Sequence, residues 1–463
     1  ETWRRICPLS FFSQIPRRLG IGRKVQKISP TSGIARSELV GVKPDSWLGR
    51  NYLYLQLFLF YLGLNIRILF ANGNGAGFGI FLSLTIVASI IVGYLFKGKS
   101  WCQYFCPMAP VQIFFTGTRG VMGSDAHLGA PGKITQSMCR TIDPQGNEKS
   151  ACVGCQSACL DIDVQRNYWD TSNQPDRQLL FYGYFGLMVG FFVYLYLYAG
   201  SLDYYYSGIW SHDIHQVTSL FSPGFYIAGK AIPIPKIVAA PLTLAVCMAL
   251  SYYISRLLEK AYRYYLILRG ENLRKSEIRH RCYSVCVFIS FNIFFEFVLR
   301  ANLQLCSEWI KFIFNGIMIV ISTVWLFRSL TRDRHRYYKE NLTASLRRQL
   351  QKFGLNWQGS LEGRSLKDLS TDEVYILAKV LPRFGQESLR QVYKGILEEA
   401  LATGKTQSQD SLEILDEIRE QLKVTEAGHY DLLALIADEN PQFLIPLEQR
   451  SQAELFFKQM IRS

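Results

Sequence analysis

LLFYGYFGLMVGFFVYLYLYA, residues 179–199, runs for 21 residues without a charge or a proline. A helix needs roughly 20 apolar residues to cross the hydrocarbon core of a bilayer, so this stretch is long enough. It is apolar all round, with no polar face to turn toward water. Working outward, five more runs have the same character: 52–71, 77–96, 234–255, 282–299 and 307–327. Tyr and Trp cluster at their ends, as they do at membrane interfaces. Six such runs are a poor fit to the core helices of one soluble protein. The expected fold is an all-α polytopic membrane protein with about six transmembrane helices.

Charge orients the runs. The chain of 463 residues has a net charge of +14 and a mean hydropathy of +0.07, an average of very apolar and soluble parts. Residues 341–463 carry 15 Lys/Arg against 18 Asp/Glu, so the excess of positive charge lies wholly before them. Basic residues flanking apolar runs point to a lipid bilayer as partner and not to nucleic acid. They crowd into four segments: 1–50, 97–178, 256–281 and 328–339. The alternate loops hold almost none. Lys and Arg resist translocation, which predicts that all four basic segments lie on the cytoplasmic side. The localisation expected is therefore a bacterial cytoplasmic membrane, or a thylakoid with the same face toward the stroma. Glu1 is not an initiator Met and no signal peptide follows, so an upstream segment is expected.

This topology divides the chain into a basic cytoplasmic segment (1–51), spans one and two (52–96), a cytoplasmic loop (97–178), spans three to six (179–327) and a cytoplasmic domain (328–463). In the last part DEVYILAKVL, ESLRQVYKGILEEAL, SLEILDEIREQL and HYDLLALIA place apolar residues at three- and four-residue steps, predicting helices. Asp410 and Glu413 have the spacing of a capping box, and Gly404 suits a helix end. The basic stretch RSLTRDRHRYYK at 328–339 is expected to anchor the sixth span to anionic lipid.

Seven of the eleven cysteines precede residue 160: Cys7, Cys102, Cys106, Cys139, Cys152, Cys155 and Cys159. All fall on the face expected to be reducing, where lasting disulfides are rare and metal or redox roles are favoured. Two groups stand out, SWCQYFCPMAP at 100–110 and ACVGCQSAC at 151–159. Four thiolates suit tetrahedral zinc or a [4Fe–4S] cube. Zinc knuckles use paired C-x2-C hairpins, and only one C-x2-C is present. A Cys-Pro partnered with a distant C-x2-C is the bacterial ferredoxin habit, which favours iron–sulfur; zinc and a redox dithiol stay open. There is also an internal echo. TWRRICPLSFFSQIPRRLG at 2–20 aligns Cys7-Pro8 with Cys106-Pro107 and Gln14 near Gln112, while Trp3 stands where Cys102 would be.

These motifs resemble the membrane-bound polyferredoxin family, which includes the quinol-dehydrogenase ferredoxin-type subunit of periplasmic nitrate reductase and the nitrous-oxide-reductase maturation protein. The resemblance covers about residues 1–170. It implies electron transfer through [4Fe–4S] clusters at the cytoplasmic membrane face, an associated quinone, a soluble donor such as ferredoxin, and neighbouring subunits of a membrane redox complex. By position it marks Cys102, Cys106, Cys152, Cys155 and Cys159 as cluster ligands and Cys7 as a further one; Cys139, thirteen residues before Cys152, is expected to bind with them. The chain would be an electron-transfer subunit and not a stand-alone enzyme. Cys159 is followed by LDID instead of proline, and Trp3 removes one thiol. Seven cysteines hold one cube; a second would need a donor such as His127 or Asp161. The C-terminal helices resemble TerB-like domains, which implies a protein-contact or regulatory role. An assembly or redox-sensing subunit with a structural cluster is the alternative function.

The six histidines, His127, His212, His215, His280, His335 and His429, lie outside the middles of the runs, so a bis-His haem ladder is not expected. His212 and His215 read as a surface loop. Arg67, Glu296 and Lys311 read as snorkelling or locally paired, with Glu296 placed to meet Arg300 one turn on. Gly186 and Gly190 permit close helix packing, and NGNGAGFG (72–79) reads as a tight turn.

Overall fold

The computed structural model describes residues 7–28, 35–43, 45–96, 99–117, 126–129, 140–142, 148–150, 163–227, 229–271, 273–303, 306–352, 363–379, 385–404, 406 and 408–440. They belong to two compact units. One is drawn from Glu1–Gly123, Met138–Lys149 and Thr171–Thr331, the other from Ser124–Ser137, Ser150–Asp170 and Arg332–Ser463.

In the first unit, two short helices, α1 (Pro8–Phe12) and α2 (Ile15–Arg18), and a hairpin, β1 (Lys24–Ile28) with β2 (Ala35–Leu39), precede the long helices. The first two of these are α3 (Trp47–Ile66, continued as a π-turn over Arg67–Ala71) and α4 (Gly75–Leu95). The short α5 (Ala109–Thr116), the strands β3 (Arg140–Ile142) and β4 (Glu148–Ser150), and α6 (Val164–Thr171), which falls almost wholly in the second unit, come before the long α7 (Pro175–Ala199). A further short helix, α8 (Asp203–Tyr206), and the hairpin β5 (Pro223–Ile227) with β6 (Lys230–Pro235) lead to α9 (Lys236–Leu268), α10 (Lys275–Asn302) and α11 (Glu308–Leu330). Six of these helices are long and apolar enough to cross a membrane, and each overlaps one of the six predicted runs, the fourth and fifth extending well beyond theirs. The chain is an all-α integral membrane protein on this ground.

Helix starts follow local chemistry. Ser46 Oγ accepts from Gly49 N at 3.1 Å to begin α3, and Asn74 Oδ1 accepts from the Ala76 and Gly77 amides to begin α4. The turn expected over 72–79 is thus confined to Asn72–Asn74, and its later glycines are helical. Among the six spans α7 is the most buried, with 67% of its apolar window enclosed against 11% for α11. Gly186 and Gly190, which face α9, make that enclosure possible. A Cβ on Gly186 would come within 2.6 Å of Ser251 Cβ, and one on Gly190 within 2.8 Å of Cys247 Cβ. Small residues let backbones approach where lipid supplies no hydrophobic drive between helices. Polar side chains close the other contacts. Glu259 on α9 pairs with Arg279 on α10 at 3.1 Å and accepts from the Tyr182 hydroxyl of α7 at 2.8 Å.

One expectation changes here. Helix α9 runs on to Leu268, so Arg256, Lys260 and Arg263 lie on helix and the loop begins only at Arg269; Arg, Leu, Glu and Lys, which fill 256–260, are all good helix formers. Glu296 accepts from Asn315 of α11 at 2.5 Å, while the side chain of Arg300 lies outside the described residues; Lys311 pairs locally with Glu308 at 2.7 Å, as expected.

The second unit is a helical domain of α12 (Arg334–Lys352), α13 (Thr371–Lys379), α14 (Gln386–Thr403), α15 (Gln409–Gln421) and α16 (Glu426–Glu439), together with residues 126–129 and 163–170. All four helices predicted by periodicity are present. Gly404 ends α14 in the left-handed region at φ 66°, as expected. The cap of α15 is Ser408 and not Asp410; Asp410 lies inside the first turn and pairs with Arg334 at 3.1 Å. Within the stretch 328–339, Arg332 is buried, and Arg334, Arg336 and Lys339 pair with Asp410, Glu340 and Asp372 within the protein.

Candidate functional site

Proline shapes both Cys-Pro turns. The residue before proline is pushed out of the helical region into extended backbone, and proline itself suits the first position of a new turn. Cys7 accordingly has φ −63°, ψ 121°, and Cys106 has φ −62°, ψ 117°. Each then accepts at its carbonyl from the amide three residues on: Ser10 N to Cys7 O at 3.1 Å, Ala109 N to Cys106 O at 3.1 Å. The similarity between residues 2–20 and 100–120 is therefore one of conformation as well as letters, over its described part.

The two turns meet. Cys7, Cys102 and Cys106 line one cavity of about 280 Å³, with Phe12, Ile86 and Met108 among its apolar walls. Cys102 and Cys106 are buried with Trp101, Val92 and Ala109 in one apolar cluster against α4; Cys7 is half-buried. Three features bring about this meeting. Gly93 lets the N-terminal arm cross α4 in backbone contact: a Cβ there would lie 3.0 Å from Ser13 Cα and closer still to its carbonyl. Gln56, buried on α3, donates through Nε2 to the Gln103 carbonyl at 3.0 Å and to that of Cys102 at 3.5 Å. The π-turn over Trp101–Phe105 closes with Cys106 N on Trp101 O at 2.8 Å. Buried backbone carbonyls need partners, and a π-turn leaves some for side chains to meet. The first two carry no sequence signal, because each acts through a contact across the fold.

Among the described residues no group of three or more His, Cys, Asp and Glu is disposed to hold a metal ion by itself, and the described cysteines are all free thiols. Cys7, Cys102 and Cys106 share a cavity without converging as a ligand set. Their donor type and their burial among apolar side chains suit an iron–sulfur group, but such a group would have to draw further ligands from elsewhere in the chain. Cys139, Cys152, Cys155, Cys159, Asp161 and Trp3 lie outside the described residues. In sequence, Cys139 and Cys152 flank the paired strands β3 and β4.

Two other features of the first unit bear on chemistry. A larger cavity of about 540 Å³ opens between α3, α7 and α9, lined by Tyr54, Tyr61, Leu179, Met248 and Tyr252. Arg67 lies over the Trp210 ring at 5.3 Å and donates to Asn72 at 3.2 Å, a local pairing as expected.

In the second unit, His127 is buried, and its Nε2 sits 2.8 Å from Glu340 Oε2. Arg332 clasps the same carboxylate, Nη1 to Oε1 at 2.7 Å and Nη2 to Oε2 at 2.5 Å, and reaches Gln165 Oε1 as well. Burial pushes the Glu340 carboxyl up, but the hydrogen bonds from His127 and Arg332 outweigh it and hold the group well below the usual carboxylate range. No family model, no curated protein and no solved structure matches the chain.

Proposed function

We propose that this chain is a membrane-bound [4Fe–4S] protein that passes single electrons at the cytoplasmic membrane face, between a soluble donor such as ferredoxin and a quinone or partner redox complex. The observation that carries the reading is the meeting of Cys7, Cys102 and Cys106 on one apolar cavity through two Cys-Pro turns of the same backbone form. Soft thiolates in a dry setting bind iron–sulfur groups and, with the hydrogen bonds and burial around them, set the potential. The cluster would supply the one-electron chemistry. The chain's own part is to hold the thiols: α4 through Gly93, α3 through Gln56. The larger cavity between α3, α7 and α9 has the apolar walls and tyrosine hydroxyls that a quinone ring accepts.

A second reading has its own support. Cys102 and Cys106 are packed inside an apolar cluster, which suits a structural cluster in an assembly or redox-sensing subunit whose helical domain recruits partners. Anaerobic purification followed by iron and sulfide analysis tests both. The expected result is stoichiometric iron and sulfide, with Cys106→Ser losing most of it. A protein with neither element ends both readings and promotes zinc. Iron that exchanges no electrons with reduced ferredoxin or with quinol leaves the structural role.

A further inference from the structure

Lys236 is the first residue of α9. At the end of a membrane helix a lysine ordinarily reaches out to water. This one is turned inward and is only 3% exposed. The β5–β6 hairpin holds it there. Gly224 of β5 lies in backbone contact with the start of α9, where a Cβ would come within 2.8 Å of Lys236 Cα. Lys236 N also donates to the Ser222 carbonyl at 2.9 Å. The ammonium has three protons to place. It donates to Ser219 Oγ at 3.4 Å and lies 4.3 Å from the centre of the Tyr198 ring. Among the described residues no carboxylate pairs with it. Asp213 is engaged elsewhere, accepting from Tyr204 Oη at 3.4 Å and from the His215 amide at 2.9 Å. A buried charge calls for a partner of opposite sign.

A second observation lies across the same space. Lys236 borders a cavity of about 10 Å³, room for one small species. The amide side chains in its wall are spent. Gln216 donates to the carbonyls of Arg67 and Ile68 and accepts from Gly73 N. Asn72 donates to the Trp210 carbonyl and accepts from Arg67 Nε. Tyr194 of α7 also lines the cavity; it is fully buried, and its hydroxyl meets no hydrogen-bond partner among the described residues. A further cation, Arg67, lies over the ring of Trp210, another wall residue, at 5.3 Å. An ammonium and a hydroxyl are thus left to meet an occupant, and both can donate. A water would accept from them but leave the charge uncompensated.

We propose that this cavity binds one halide-sized anion, chloride being the common one, between Lys236 Nζ and Tyr194 Oη. The ion neutralises the buried ammonium and joins α7 to the start of α9. The site is independent of the iron–sulfur reading.

The test uses the full chain in detergent, exchanged into sodium gluconate. Equilibrium dialysis with radiolabelled chloride is expected to show one saturable site per chain. Bromide should compete, and sulfate, too large for the cavity, should not. At constant ionic strength Tm should rise with chloride, because an ion that binds only the folded state stabilises it by mass action. Tyr194→Phe removes one oxygen and is expected to weaken chloride binding about tenfold, as loss of a hydrogen bond to a charged group does. Lys236→Met is expected to abolish it. No saturable chloride in the parent protein overturns the proposal and leaves a buried water. Equal binding by the parent and Tyr194→Phe overturns it too, since the ion then sits elsewhere. Both readouts on the parent and on Tyr194→Phe stand whether or not Lys236→Met folds.

Discussion

The membrane-spanning unit and the helical domain solve packing in opposite ways. In the first, large apolar side chains such as Leu257, Phe312 and Val320 are exposed, while serines and an ion pair sit inside: Ser284 with Ser329, Ser322 with Asn292, Glu259 with Arg279. In the second, Tyr393, Ile396, Ile414 and Ile418 are fully buried, and the exposed faces carry charge. The difference follows from the surroundings. Where the medium is as apolar as the side chains, association rests on close fit and polar contacts. In water it rests on burying apolar area, about 25 cal/mol per Å². Each unit should therefore break under a different kind of substitution.

The largest effect is expected from Gly186→Val. Its methyls would drive into the Cys247 and Ser251 region of α9, where no space exists. Overpacking a tight core costs about 1–3 kcal/mol and occasionally more, and backbone contact puts this site at the upper end. Thermal unfolding in detergent should show loss of the folded bundle. A variant as stable as the parent would mean that α7 and α9 do not pack as described.

The same truncation applied to both units sharpens the contrast. Ile396→Ala in the helical domain should cost about 2–5 kcal/mol, the range for emptying a buried aliphatic site. Phe312→Ala, on an exposed face of α11, should stay within about 0.5 kcal/mol. Denaturation followed by hydrogen exchange, read separately for peptides of each unit, checks the pair. Equal costs would erase the distinction between the units.

A smaller effect is expected at the start of α13, where Ser370 and Glu373 form a reciprocal cap, Ser370 N to Glu373 Oε2 at 2.7 Å and Glu373 N to Ser370 Oγ at 3.3 Å. Ser370→Ala should cost about 1 kcal/mol and fray this helix alone. Local hydrogen exchange over 371–379 reads it.

The smallest is a slope with pH. Burial, and then the nearby Arg419, lower the pKa of His429 below its ordinary value of 6.5. The unfolded chain then binds a proton more readily than the folded one just below that value. Stability of the helical domain should fall as pH drops from 6.5 through the folded pKa, and be flat in this respect above it. His429→Gln, which can still meet the Tyr393 hydroxyl that lies 2.9 Å from Nδ1, should flatten the slope. An unchanged slope would assign it to other groups.

The spans were legible because a bilayer demands a property of composition and length, and 179–199 or 307–327 meet it without reference to any other part of the chain. The helices of the second unit were legible for a similar reason, except α12. That helix buries Asn341, Ser345 and Gln349 as well as Leu342, Leu346 and Leu350, and Ser345 and Gln349 both bond to Glu399 on α14. Its start falls in the basic stretch 328–339, which read as a lipid anchor, and that charge drew attention from Leu342, Leu346 and Leu350 at four-residue steps.

The sequence by itself determined where helices can cross a membrane, where chain direction breaks at Cys-Pro, and which cysteines share a motif; these depend on local residue chemistry and spacing. Only the tertiary structure decided that Cys7 reaches the cavity of Cys102 and Cys106, by way of Gly93, and that Glu340 and Arg332 hold His127 with Nδ1 bare. Those outcomes join residues about a hundred or more positions apart in the chain, and the contacts that join them come only from packing.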